Sequence, residues 1–497
     1  MKKACLVALI ATGLASAVLL AQTTPIPDYR PEDFGSAYAC YPTCILPSYI
    51  VSDDFDGDGW LDLAVSCYAS NQVWLYHNQQ NGIFASNAGT GPALTAGGPI
   101  ALATVSLGVD IYPDIAVLTT IPARSTQIIL EEPDPSATPV PLIPFNASWT
   151  PLLGIAGIAP PVTPKHFAAI DLGRDDTLSD LVVVAAGLAG IPPNVSFYDA
   201  KARGAASSLG CAAASWTPQL AAPTFVAVAD FNQDGWDDVA IADAGTNAVH
   251  FAYRIPGGWF TGLVVNVSGV ALQSMDVGDF NHDGFPDLVA VGNTPTGNGY
   301  AAVLLNQGNP TTFEVLGPFT TWGLDARFVE VLDADGNGWD EFVVANYGSH
   351  TITVFLANLV ANLDRNGNVE SLAFDPSYSL ATRHGVCLDE PLRVEVVFSP
   401  WFKISPECGF YPNSIVAGDF DRNGKMDIAF TLESTSEEIC PQNPSCIEVV
   451  FDIACGLQSG DPWPELIQRA HQVTPGEEPQ ECEPDGCGDK GDEPKNP

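Results

Sequence analysis

Positive charge is scarce in this sequence. Its 497 residues hold 19 Lys plus Arg against 59 Asp plus Glu, a formal net charge of −40 at pH 7. A nucleic-acid face needs basic side chains against phosphate, and an anionic membrane surface attracts the same side chains. Both partners are excluded, and cations are favoured. Helical periodicity is missing from every long stretch, which excludes a helical class. No cysteine or histidine spacing fits a structural zinc finger. None of the seven histidines (His77, His166, His250, His282, His350, His384 and His471) sits in HExxH, and no G-x-S-x-G elbow occurs.

The opening "MKKACLVALIATGLASAVLLAQTTP" has a basic start at Lys2 and Lys3 and an apolar run from Leu6 to Leu20. It reads as a secretory signal, residues 1–21, cleaved after Ala21. No later stretch is apolar for long enough to span a membrane, so no stable membrane anchor is expected after cleavage. Export to an extracellular or periplasmic space permits disulfides. Of 12 cysteines, Cys5 leaves with the signal, so 11 remain and at least one is unpaired. Cys40/Cys44, Cys440/Cys446 and Cys482/Cys487 are close pairs. Cys67, in the strand-like "LAVSCYAS", is expected to be the unpaired thiol.

What is abundant is one acidic loop, repeated. "DDFDGDGWLDLAVS" begins at Asp53, "ADFNQDGWDDVAIAD" at Ala229, "GDFNHDGFPDLVAVG" at Gly278, "LDADGNGWDEFVVAN" at Leu332 and "GDFDRNGKMDIAFT" at Gly418. Each fits D-x-[DN]-x-[DN]-G-x-x-[DE] followed by a strand. In a tight turn, side chains at positions 1, 3, 5 and 9 converge, position 7 adds a carbonyl, and Gly at position 6 permits the bend. All the donors are hard oxygens, which suits calcium. The expected ligands are Asp54, Asp56, Asp58, Asp62; Asp230, Asn232, Asp234, Asp238; Asp279, Asn281, Asp283, Asp287; Asp333, Asp335, Asn337, Glu341; and Asp419, Asp421, Asn423, Asp427. About five calcium ions follow. Asp, Asn and Gly also make ordinary hairpins, but five copies in register, each with an acidic ninth residue that a turn does not need, favour the ion. Asp237, at position 8, should point away. Two worn copies, at Asp110/Asp114 and at Asp171/Asp175/Asp180, carry Gly108 and Gly173 at position 3 and should bind nothing.

Seven motif starts at blade-length steps predict an all-β, seven-bladed β-propeller of four-stranded antiparallel blades over residues 28–460. Phe55, Phe231, Phe280 and Phe420 at position 2 are expected to pack between blades. The segment Phe34 to Ala39 is expected to complete the blade containing Ile447 to Ile453, closing the ring and removing exposed edges. "ANLVANLDRNGNVESLAFD", with Asn362 to Glu370, lies too close to the preceding motif for a blade and reads as a polar turn, with an extra ion loop on a long hairpin as the alternative. Residues 130–154 form a Pro-rich loop. The acidic tail, 461–497, is expected to be disordered; its GCGDKG lacks the flanking strand and helix of a dinucleotide site.

At these loops the chain resembles the FG-GAP/VCBS repeat family, best known from the head propellers of integrin alpha subunits, over roughly residues 30 to 460. The resemblance implies calcium loops on one face and ligands elsewhere, often on the opposite loops. It says little about function. Integrins usually carry three or four such loops, so five departs from them. The legs, transmembrane helix and cytoplasmic tail of an integrin are not matched. The sequence therefore reads as a secreted, monomeric binding or adhesion module for an unidentified protein or carbohydrate ligand, with Trp149, Trp216, Trp259, Trp322 and Trp401 as candidate loop-tip contacts. A lyase-type, polysaccharide-active enzyme is the alternative. It would need a cationic or tyrosyl base cluster, whereas Lys165, Arg254, Arg327 and Lys403 are scattered.

Overall fold

The computed structural model of the chain describes residues 28–29, 38–86, 93–95, 97–106, 113–120, 126–130, 150–151, 162–172, 179–187, 192–199, 210–212, 219–255, 258–281, 283–308, 312–334, 340–361, 394–404, 411–433, 445–451 and 453. The signal segment, the loop residues 131–149, the polar turn at 362–370 and the acidic tail lie outside them, as do Asp335 and Asn337. The chain divides into two compact units, residues 1–356 with 399–456, and residues 357–398 with 457–497. Of the second unit only 357–361 and 394–398, both within strands, are described.

Among the described residues there is one 3-10 turn, Tyr347–Ser349, and otherwise strand. No helix there is long and apolar enough to cross a membrane. The strands form seven small sheets. Sheet 1 is Pro47–Asp53, Asp62–Cys67, Gln72–Asn78 and Phe84–Ser86, with Ala93–Leu94 beside its third strand. Sheet 2 is Gly98–Val105, Asp114–Thr120, Thr126–Leu130 and Thr150–Pro151; sheet 3 is Val162–Ile170, Asp180–Gly187, Asn194–Asp199 and Gly210–Ala212. Sheet 4 is Pro223–Ala229, Asp238–Asp243, Ala248–Ile255 and Gly258–Asn266; sheet 5 is Ala271–Gly278, Asp287–Asn293, Asn298–Asn306 and Phe313–Leu324. Sheet 6 is Ala326–Leu332, Glu341–Asn346, Thr351–Ala361 and Val394–Ile404, with Asp28–Tyr29 added in parallel. Sheet 7 is Pro412–Gly418, Asp427–Leu432, Cys446–Val450 and Tyr38–Pro42.

The strand following each acidic loop is short, apolar and covered on both faces. Asp62–Cys67, Asp238–Asp243, Glu341–Asn346 and Asp427–Leu432 are buried at every residue. Continuous burial explains why these strands run apolar instead of alternating. The cover comes from neighbouring sheets. One core cluster joins Phe55, Ala64 and Leu75 of sheet 1 to Leu102, Ile115 and Val117 of sheet 2. Another joins Leu63, Val65 and Tyr76 of sheet 1 to Phe420, Ala429 and Ile447 of sheet 7. The position-2 phenylalanines occupy these seams: Phe55, Phe231, Phe280 and Phe420 are each at most 1% exposed. Burial of each contributes roughly 1.5–3 kcal/mol. Phe280 meets Phe342 of the next sheet edge-on at 6.1 Å, and Phe420 meets Phe84 at 5.7 Å.

The first strands of consecutive sheets pack side by side from sheet 1 through sheet 7, and Pro412–Gly418 also packs against Pro47–Asp53. Side chains from four of them meet. Tyr49 Oη lies 3.1 Å from His166 Nε2, the His166 ring stacks on Phe225 at 3.5 Å between centroids, and Phe328 meets Tyr49 edge-on at 5.3 Å.

Sheet 7 takes its outer strand from the other end of the chain: Tyr38 pairs with Val450 and Pro42 with Cys446. Of the expected segment Phe34 to Ala39, Tyr38 and Ala39 pair in this way, and residues 34–37 lie outside the described residues. Thr43 N donates to Ser445 O (3.1 Å) and Tyr76 Oη to Pro42 O (2.8 Å), which fixes the register. Immediately after it, Cys44 forms a disulfide with Cys67. The expectation that Cys67 is the unpaired thiol is therefore wrong. Its buried strand end lies 5.8 Å from Cys44 in Cα separation, a distance that suits a bridge and that sequence spacing does not reveal.

Candidate metal centres

Each acidic loop joins the first and second strands of a sheet, and the carboxylates organise its backbone. At position 1, Asp54, Asp230, Asp279 and Asp419 each accept the N–H of the position-6 glycine through Oδ2, at 2.8, 2.6, 3.0 and 2.9 Å. That glycine takes φ between 81° and 88° in all four loops, a conformation a side chain resists. Position 3 accepts from the N–H of position 5, as in Asp56 Oδ1 from Asp58 N (3.1 Å) and Asn281 Oδ1 from Asp283 N (3.0 Å). Position 5 accepts from position 7, as in Asp234 Oδ1 from Trp236 N (2.9 Å).

These turns gather carboxylates. Ligand oxygens of Asp54, Asp56 and Asp58 lie within 4.8 Å of one another, as do those of Asp419, Asp421 and Asp427. Asp56, Asp62 and the imidazole of His77 form a third such group. In the loops of sheets 4 and 5 an Asn at position 3 donates to the position-5 carboxylate, Asn232 to Asp234 at 3.1 Å and Asn281 to Asp283 at 3.0 Å. Of the sheet 6 loop, Asp333 and Glu341 are described while Asp335 and Asn337 are not. Asp171 and Asp180 of the worn copy in sheet 3, and Asp114 of that in sheet 2, are described; Gly108, Asp110, Gly173 and Asp175 are not.

The position-9 acid has a backbone role as well. Asp287 Oδ1 accepts Asn306 N from the third strand (2.6 Å) and its Oδ2 accepts Phe280 N (3.0 Å). Asp427 Oδ2 accepts Phe420 N (2.8 Å), and Glu341 Oε2 accepts Ala334 N (2.9 Å). Asp180 of the worn loop does the same for Leu172 N (2.7 Å). A turn of this kind does need its ninth acid, so the argument for an ion from that residue alone fails. Asp54 Oδ1, Asp62 Oδ2 and Asp238 Oδ2 are buried and accept no hydrogen bond. A buried carboxylate oxygen without a donor is costly. Burial raises the Asp238 carboxyl to about 7 and Asp287 to about 8, with neighbouring carboxylates adding to both. Burial and Asp62 raise Asp56 to about 6. All-oxygen donors, orphaned oxygens and a field that disfavours further negative charge fit a hard divalent cation. Asp54, Asp56, Asp58 and Asp62 would hold it in sheet 1.

Position 8 supplies a feature the sequence reading missed. Asp237 does point away from its own loop, and its Oδ2 accepts the position-1 N–H of the preceding loop, Asp171 N, at 2.8 Å. Asp340 Oδ2 accepts Asp279 N in the same way, at 2.6 Å. In the loop of sheet 1 the equivalent residue is Leu61, whose Cδ1 would lie 2.7 Å from a Cβ on Gly418. That contact explains the glycine before Asp419. The third strand supplies a second link. Asn78 Nδ2 donates to Phe420 O (2.7 Å), Asn306 Nδ2 to Phe231 O (2.7 Å), and Arg254 to the carbonyls of Asp171 and Leu172. Arg254 is thus a link between loops and not merely a solvated surface cation. The Asn-Gln pairs Asn78-Gln79 and Asn306-Gln307, each closing a third strand, were the available sequence signal.

The FG-GAP-like repeat profile matches residues 54–117, 230–290 and 279–344. The chain carries FG-GAP-like repeats. Four of the acidic loops fall inside the matched segments; the fifth, Asp419 to Asp427, shares their hydrogen bonds and lies beyond them. The chain is similar to human integrin alpha-6, 24% identical over 220 residues, which cover 39% of this chain and 18% of the integrin. It therefore spans less than a fifth of that relative. A solved structure of BBS1N in complex with ARL6DN, soaked with mercury, aligns with a TM-score of 0.43 at 10% identity, covering 84% of this chain and 96% of that one. That likeness is too slight to build on.

Proposed function

We propose that this chain is a secreted, calcium-stabilised, closed seven-bladed β-propeller that acts as a binding or adhesion module for a protein or glycan ligand. Closure is supported by the seven antiparallel sheets, the side-by-side first strands and the pairing of Tyr38–Pro42 with Cys446–Val450. Calcium is supported by the orphaned carboxylate oxygens of the loops, and would occupy about five of them. Export agrees with the Cys44–Cys67 disulfide and with the integrin similarity.

The observation that carries the binding role is a cluster on the loops opposite the acidic turns. Arg327 stacks over Tyr347 at 3.3 Å, Tyr347 lies 4.8 Å from Tyr411, and His350 meets Tyr411 edge-on at 4.3 Å. Trp322, Asp325, His350 and Tyr411 all hold φ between 53° and 61° there. Left-handed backbone at bulky residues gathers where function demands it. Arg327 is held there by Asp325 Oδ2 at 2.9 Å, so the cluster offers ring faces around a paired cation, a surface for a sugar ring or a protein ligand. The test is a panel of immobilised glycans and extracellular proteins probed with the calcium-loaded chain and with the Arg327→Ala/Tyr347→Ala double variant. Selective binding lost in the variant supports the module. Turnover of an acidic polysaccharide with rising product absorbance would replace it with a lyase, and silence on both panels would sink it.

A further inference from the structure

The loop of sheet 1 differs from the other four in its donors. It alone has Asp at positions 1, 3 and 5; each of the others has one Asn among them. No amide of its own positions 1, 3 or 5 donates within it; Gln80 Nε2, from beyond the third strand, donates to Asp58 Oδ2 at 3.0 Å. His77 instead points Nδ1 inward from the third strand, 3.7 Å from Asp56 Oδ2 and 3.7 Å from Asp62 Oδ2. The residues at the same place in sheets 4 and 5, one before Arg254 and Asn306, are Tyr253 and Leu305. Asp62 is the independent sign of a ligand: its side chain is 3% exposed and its Oδ2 accepts no hydrogen bond. Its other oxygen accepts Asn78 N at 2.8 Å, which leaves Oδ2 facing His77 Nδ1.

Calcium takes oxygen ligands, whereas imidazole suits zinc and its neighbours among the transition metals. At zinc–ligand lengths of about 2.1 Å a tetrahedral pair of donors lies about 3.4 Å apart. The 3.7 Å separations seen here would close to that value with a movement of about 0.3 Å. We propose that Asp56, Asp62 and His77 form a mixed nitrogen–oxygen site that selects a zinc-class ion over calcium. This inference rests on the reading that the loops bind cations, but not on calcium filling the other four. The competing role for His77 is that of a built-in counter-ion, the protonated ring standing in for a metal.

The full chain would be equilibrated with about 1 mM Ca²⁺ and an equimolar amount of Zn²⁺, dialysed, and its metals measured. One zinc per chain is expected, retained beside calcium. Replacing His77→Gln should weaken zinc binding at least about tenfold, since even outer partners of a metal ligand change affinity that much; Asn298→Ala, at an exposed position of sheet 5, should leave it unchanged. X-ray absorption on the zinc-loaded wild type should show one imidazole bound to the metal, and needs no variant to fold. Calcium without zinc, zinc retained equally by His77→Gln, or zinc with no imidazole would each overturn the proposal and leave the cation loops standing. A chain that binds neither metal would overturn both.

Discussion

Asn306 offers the sharpest test of how the sheets are joined. It is wholly buried at the end of the third strand of sheet 5. Its Nδ2 donates to Phe231 O at 2.7 Å and to Pro286 O at 3.2 Å, and its Oδ1 accepts Gly308 N at 3.2 Å. Replacing Asn306→Ala removes three hydrogen bonds of about 1 kcal/mol each and leaves at least one buried carbonyl unpaired, which costs a further 1–3 kcal/mol or so. The expected loss is about 4–6 kcal/mol. With an unfolding entropy near 2.1 cal/mol/K per residue and about 400 folded residues, that is a fall of roughly 5–7 °C in Tm. Differential scanning calorimetry in millimolar calcium reads it. Asn78→Ala should behave alike, because Asn78 Nδ2 donates to Phe420 O and Leu61 O and its Oδ1 accepts from Asn81 and Gly82. The exposed turn residue Asn298, in contrast, should tolerate alanine within about 0.5 kcal/mol. If both buried variants melt like wild type, the amides do not tie neighbouring sheets together and the account of the seams is wrong.

Chelation should destabilise the chain. If calcium exceeds its dissociation constant about tenfold, five sites at about 1.4 kcal/mol each contribute roughly 7 kcal/mol, or about 8 °C in Tm; a melting curve indifferent to EDTA would remove the ions from the account. His166 should contribute a loss of stability in acid. Burial pushes that imidazole down to about 3, against about 6.5 unfolded, so the unfolded chain takes the proton first and His166 alone removes about 1.4 kcal/mol per pH unit below about 6.5, opposite in sign to the raised Asp238 and Asp287 carboxyls. The urea midpoints of wild type and His166→Phe, multiplied by the m-value and plotted against pH between about 6.5 and 4.5, should therefore differ in slope by that amount; identical slopes would refute the assignment. The Cys44→Ala/Cys67→Ala variant opens a loop with a sequence separation of 23 residues and should lose about 3.4 kcal/mol on the chain-entropy argument, measured as the shift in urea midpoint multiplied by the m-value.

The acidic loops and the strands after them were legible because both are local: a turn that needs Gly at position 6, and a strand covered on both faces, leave their marks within fifteen residues. The position-2 phenylalanines were legible for the same reason. What sequence spacing hid were the polar contacts that cross a seam. Asp237 reaches Asp171 across 66 residues, Asp340 reaches Asp279 across 61, and Asn78 reaches Phe420 across 342. Nothing near Cys67 announces Cys44 as its partner, so a buried strand end looked like an inert thiol. The ninth acid misled in the other direction. Its recurrence suggested an ion ligand, yet Asp180 holds Leu172 N in a loop whose third position is Gly173, so backbone bonding alone is reason enough for an acid there.

The strand Tyr38–Pro42 sits among the last residues of the fold to be synthesised, although it is made among the first. During translation it emerges some 400 residues ahead of Cys446–Val450, about twenty seconds or more at ordinary elongation rates. Through that interval its ladder groups face solvent or a chaperone, and no earlier sheet can adopt it without displacing its own fourth strand. A C-terminal truncation before Cys446 would thus strand an edge at each end of the chain, and such edges recruit other chains.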